Sequence, residues 1–66
     1  MSQVINVNGK TAIRVNGHVC LEKGTSALVD VDGDKVWLPV STFRVNARDK
    51  SIDIQEWIFN QKFPKG

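Results

Sequence analysis

Ala27-Leu28-Val29-Asp30-Val31-Asp32-Gly33-Asp34-Lys35-Val36-Trp37-Leu38 holds two alternating runs divided by an Asp-Gly pair. Ala27, Val29 and Val31 sit two apart, as do Val36, Leu38 and Val40. A two-residue period places alternate side chains on opposite faces of a strand. Asp-Gly supplies the positive φ angles of a tight two-residue hairpin turn. The stretch therefore reads as an antiparallel hairpin with one face buried.

Working outward, the same signals recur. Asn8-Gly9 and Asn16-Gly17 each divide Val- and Ile-containing runs, and Val7-Asn8-Gly9-Lys10 is echoed by Val15-Asn16-Gly17-His18. Both pairs read as hairpin turns, and Lys23-Gly24 marks a further turn. Ile5 and Val7, Ile13 and Val15, Val19 and Leu21 alternate, and Phe43 and Val45 precede the polar turn Ala47-Arg48-Asp49-Lys50. Short strands with turns every eight to twelve residues predict an all-β fold, a small SH3-like or OB-like barrel of five to seven antiparallel strands.

Near the C-terminus the period changes. Ile54, Trp57 and Ile58 fall at i, i+3 and i+4, predicting a short helix over about residues 54–62. Asp53 and Glu56 have capping-box spacing, Ile52 and Trp57 would form its hydrophobic staple, and Pro64 and Gly66 end the element. On that helix Phe59 and Phe63 project about 140° and 180° from Ile54. A short helix apolar on both sides either folds Phe63 back or offers a second face to another molecule; contact with a partner or a second copy is the reading adopted. Folding is expected to depend on Val29, Trp37, Leu38 and Ile58, with Trp37 and Trp57 closing the two ends of the core.

Sixty-six residues form one domain, 1–66, and bury about 60% of their unfolded surface. A core that thin leaves no room for a deep, water-excluding catalytic cleft. Hydrophobic residues make up 41% and charged residues 24%, an ordinary globular balance that excludes wholesale disorder. No apolar run approaches the roughly 18–20 residues of a membrane span, and no signal peptide is expected. A cytoplasmic location is expected.

The chemistry-bearing residues form no recognised constellation. Asp30, Asp32 and Asp34 bracket a hairpin tip without the spacing of a calcium loop. His18 and Cys20 share a strand face, but a structural zinc site needs four such ligands and the chain has one Cys and one His. As a nucleophile and base the pair would need a third, orienting group. Ser41 lacks the glycines of a nucleophile elbow, the glycines form no phosphate loop, and Asp49 and Asp53 flank a turn and a cap. No enzyme activity, cofactor or metal is expected.

Charge is uneven. Residues 1–34 set Lys10, Arg14 and Lys23 against Glu22, Asp30, Asp32 and Asp34, a net of −1. Residues 35–66 set Lys35, Arg44, Arg48, Lys50, Lys62 and Lys65 against Asp49, Asp53 and Glu56, a net of +3. Arg44, Arg48, Lys50 and Lys62 are candidate phosphate contacts, with Trp37 or Phe43 as a stacking face. An overall charge of +2 is lean for a nucleic-acid binder.

Val36-Trp37-Leu38-Pro39-Val40-Ser41 and Ile52-Asp53-Ile54-Gln55-Glu56-Trp57-Ile58 together resemble a pattern in small uncharacterised bacteriophage and prophage proteins, a WLPxS stretch followed by IxIxEW. Trp37, Leu38, Pro39, Ser41, Glu56 and Trp57 occupy matching positions, and the resemblance spans residues 27–66. It implies a phage or prophage origin and a small β fold, and brings no catalytic residue. Val40 stands where a basic residue is usual, and the tail ends Phe-Pro-Lys-Gly where relatives often have Lys-Gly-Leu. Without the family, the motif has a structural logic: Pro39 ends a strand and Ser41 bonds local backbone at the turn into Phe43.

Two functions are expected in turn. The first is a non-enzymatic phage-encoded module that contacts and modulates or inhibits a host protein, or a second copy, through Trp57, Phe59 and Phe63 or through a strand edge. The alternative is a nucleic-acid-binding accessory protein using the basic residues above.

Overall fold

The computed structural model describes residues 5–63. Strands β1 (Ile5–Val7), β2 (Lys10–Lys23), β3 (Ser26–Val31) and β4 (Asp34–Pro39) run into a 3-10 turn at Val40–Thr42. Strands β5 (Phe43–Asn46) and β6 (Ser51–Gln55) and the helix α1 (Glu56–Lys62) follow. All pairings are antiparallel, in the order β4-β3-β2-β6-β5, with β1 also on β2. Ala12 of β2 pairs with both Ile5 and Gln55, so β1 and β6 flank β2 on opposite sides. The fold is the small all-β, barrel-like architecture expected, and no helix of the described residues is long and apolar enough to cross a membrane.

Strand β2 belongs to two sheets. Residues 12–16 pair with β6, and residues 17–23 pair with β3. The first sheet is β1-β2-β6-β5 and the second is β2-β3-β4. Val29, Val31 and Leu38 from the second meet Ile52 and Ile54 from the first in one core, which Ile58 of α1 closes. Alternation sets this up: Ala27, Val29 and Val31 of β3 are buried, while Ser26, Leu28 and Asp30 face outward.

The hairpin turns at Asn8-Gly9 and Asp32-Gly33 form as the sequence predicts, all four residues at positive φ. Asn16-Gly17 does not turn: it lies inside β2, where the chain passes from one sheet to the other. Gly17 is needed for space, since a Cβ there would lie 2.3 Å from the Asp30 carbonyl oxygen. A glycine that admits a neighbouring backbone and one that bends a turn look alike in sequence.

The helix begins at Glu56 rather than at 54, because Ile54 and Gln55 complete β6. No capping box forms: Gln55 holds the N-cap position, makes no side-chain cap bond, and Asp53 is a mid-strand residue. The expected Ile52–Trp57 staple is absent too, with Ile52 wholly buried and Trp57 half exposed. Helix and strand signals overlap in Ile52-Asp53-Ile54, and the strand prevails because Ile52 and Ile54 both reach the core on the same face.

Phe63 leaves the helix and folds back. As C-cap residue its N–H donates to the Phe59 carbonyl (2.8 Å), and the two rings stack 4.9 Å apart against the core. The chain itself thus covers part of the helix face that the sequence reading assigned to a partner. Val29, Leu38 and Ile58 are buried as expected, but Trp37 is 44% exposed. Val36 and Leu38 point inward, so the residue between them must face out. Neither tryptophan closes the core. At the 3-10 turn Thr42, not Ser41, supplies the local hydroxyl bond, donating to the Pro39 carbonyl (2.7 Å), while the Ser41 carbonyl accepts from the Asn8 side chain.

Gly17→Ala is expected to cost about 1–3 kcal/mol through overpacking against β3, with Asn16→Ala, exposed on the same strand, changing stability by less than about 0.5 kcal/mol. Denaturant unfolding of the two variants reads the difference, and equal midpoints would refute the steric role of Gly17.

Candidate functional site

Two outward surfaces carry the polar and exposed apolar chemistry, one on each sheet. On the first sheet the register places Arg14 of β2, Asp53 of β6 and Arg44 of β5 in a row. Side chains opposite one another in an antiparallel ladder share a face. Arg14 Nε donates to Asp53 Oδ1 at 2.9 Å, and Arg44 Nη2 donates to Oδ2 at 3.2 Å. Asp53 is fully buried beneath the two guanidinium groups, which stay about half exposed.

Burial alone would raise the pKa of Asp53. Hydrogen bonds from Arg14 and Arg44, with the charge of Arg14, outweigh it, and the carboxyl sits below its ordinary value of 3.8. The rest of the face is satisfied in the same way. Trp57 Nε1 donates to Gln55 Oε1 (2.6 Å), and Gln55 Nε2 donates to the Val7 carbonyl (2.7 Å). Among the described residues no buried side-chain nitrogen or oxygen lacks a partner. This surface is a structural clasp across β2, β6 and β5, with two arginines for one carboxylate.

Of the basic candidates, Arg44 stands in this row. Arg14, which the sequence reading did not select, stands beside it. Arg48 and Lys50 are exposed on the adjoining β5–β6 turn, and Lys62 is exposed in the last turn of α1. The proposed stacking residues do not join them. Phe43 is packed against the core, and Trp37 faces outward on the other sheet.

The aromatic candidates also separate. Phe59 and Phe63 are half-buried against the core, whereas Trp57 is 52% exposed. With Gly9, Lys10, Thr11 and Glu56 it lines a shallow, open depression of about 390 Å³ above the β1–β2 turn. That depression has no enclosed floor to exclude water from a reaction.

The outer face of β2-β3-β4 presents a different surface. Leu21, Leu28 and Trp37 are paired in one cross-strand row. Leu21 and Trp37 are about half exposed and Leu28 is half-buried. On one side lies the row His18–Asp30–Lys35, and on the other Lys23–Ser26–Pro39. A bulge at Cys20 shifts the register so that Leu21, not Cys20, stands opposite Leu28. Sequence alternation alone pairs Leu21 with Val19 on the inner face, and the inserted residue reverses it. The signal that could have found the row was the position of Trp37 between two inward residues.

No known protein family, curated protein or solved structure matches the chain.

Because the folded-state pKa of Asp53 is lowered, its contribution to stability is present above the ordinary carboxylate pKa. It is lost as pH falls through the lowered folded-state value. Asp53→Asn should cost about 1–3 kcal/mol at neutral pH and flatten the loss of stability below about pH 4. Urea titrations across pH 2–7 for both proteins check this, and parallel pH profiles would refute it.

Proposed function

We propose that the protein is a non-enzymatic binding module that docks a partner protein on the outer face of β2-β3-β4, with Leu21, Leu28 and Trp37 as anchors. The observation that carries this reading is the exposed apolar row itself. Apolar side chains aligned across three strands form a continuous patch, and Trp is among the residues that contribute most when covered by a partner. The flanking residues His18, Lys23, Asp30 and Lys35 mix signs, which suits a protein surface better than a polyanion.

The flat face alone is too small for a stable interface, and the open edge of β4 is where a partner adds contact. Three strands about 4.8 Å apart and six residues of about 3.4 Å rise present roughly 300 Å². A standard stable interface needs about 800 Å² from each side. Strand β4 ends the sheet order, and among the described residues no strand bonds its outer edge. An extended segment of the partner laid along β4 adds main-chain hydrogen bonds beside Trp37, enlarging the contact beyond the flat face. The resemblance to phage proteins makes a bacterial host protein the proposed target and the host cytoplasm the proposed place of action. In the same reading Trp57 is a secondary contact, and Phe59 and Phe63 support the fold.

The test is affinity capture from bacterial lysate, purification of the captured protein, and calorimetry with wild type, Trp37→Ala and Leu21→Ala. Both substitutions lie outside the core, so thermal midpoints should hold. Trp37→Ala should weaken binding about 30-fold or more, with little change between low and high salt. Oligonucleotide binding that weakens steeply with salt and is lost in Arg14→Ala and Arg44→Ala would overturn the reading in favour of nucleic acid. A homodimer dissociated by Trp37→Ala would overturn it in favour of self-association.

A further inference from the structure

His18, Cys20 and Asp30 converge beside the docking row, with one ligand-capable atom of each within 4.8 Å of the others. The sequence reading found only two of these ligands because the third comes from the neighbouring strand. The ladder pairs His18 directly with Asp30, so both side chains leave the same face. Cys20, two residues further along β2, is the extra residue of the bulge. Leu21 takes the position opposite Leu28, and the thiol is released from cross-strand packing.

Asp30 is already oriented. Its Oδ1 accepts the backbone N–H of Gly33 at 2.9 Å, which fixes the carboxylate against the β3–β4 turn and leaves the other oxygen to bind. Metal-ligating carboxylates are held in this way by a hydrogen bond from outside the ligand set. Asp32 and Asp34 lie in the same hairpin, and Lys35, although opposite Asp30 in the ladder, makes no ion pair with it.

We propose that His18, Cys20 and Asp30 form an open three-ligand site for a borderline-soft divalent cation, represented by zinc. Thiolate, imidazole and carboxylate together suit such an ion, whereas calcium and magnesium take oxygen donors. With zinc–ligand bonds of about 2.0–2.3 Å, tetrahedral ligand atoms lie about 3.3–3.8 Å apart. Small side-chain rotations reach that spacing from the observed one, and His18 and Cys20 are exposed and free to make them. Binding transfers the Cys20 thiol proton to solvent, and three protein ligands leave the fourth position to water. The site does not depend on the docking reading, since it needs no partner protein.

The experiment titrates the full chain with cobalt(II) as a spectroscopic probe under a phosphine reductant, then displaces it with zinc, and measures zinc affinity by competition. Expected are one ion per chain, a thiolate-to-cobalt charge-transfer band, and at least tenfold weaker zinc binding in each of Cys20→Ser, His18→Ala and Asp30→Asn. Asp34→Asn, which alters nearby charge without removing a ligand, should retain the band. Circular dichroism of the variants checks that the fold is kept; His18→Ala and Cys20→Ser change exposed side chains only. Absence of the thiolate band, zinc binding unchanged by Cys20→Ser, or one ion shared between two chains would each overturn the proposal.

Discussion

Strand β2 has to hydrogen-bond to β6 over residues 12–16 and to β3 over residues 17–23, and it can do so only where another backbone is allowed to come close. Gly17 stands at that change of partner, with the Asp30 carbonyl in the space a side chain would fill. From this one steric condition follow the two sheets, the single core between them, and the outward directions of both. Val29, Val31 and Leu38 face Ile52 and Ile54 because the two halves of β2 hold the sheets against each other.

Strand β6 shows the second consequence of placing a strand between two others in so small a chain. All five of its residues are buried, including Ser51, Asp53 and Gln55. A buried carboxylate is costly unless it is paired and hydrogen-bonded. The register supplies Arg14 and Arg44 from the two neighbouring strands, and their half-exposed side chains reach over Asp53 to bond both of its oxygens. The result is a polar clasp in place of a second apolar layer, which a chain with so few large apolar residues could not build.

With the first sheet's outer face occupied by that clasp and the helix holding Phe59 and Phe63 against the core, the outer face of β2-β3-β4 is the surface that aligns exposed apolar side chains, Leu21 and Trp37, in one cross-strand row. It also gathers the chain's one histidine and one cysteine beside an oriented aspartate. The proposed docking row and the proposed metal site thus share the face that the Arg14–Asp53–Arg44 clasp does not use.

Much of this was legible in the amino-acid order. Alternation in Ala27–Val31 and Val36–Leu38 and the Asn8-Gly9 and Asp32-Gly33 pairs determine an antiparallel β domain, because period and turn chemistry are local properties. The residues Val29, Leu38 and Ile58 were identifiable as core for the same reason. Tertiary structure alone decided the use of Gly17, the fate of Asp53 and the outward direction of Leu21. Each depends on which backbone lies next to it: β3 across from Gly17, β2 and β5 on either side of Asp53, and the bulged ladder that turns Leu21 toward Leu28 and Trp37. Strand neighbours and register are long-range pairings, set by the whole core, and no local pattern in a single chain encodes them.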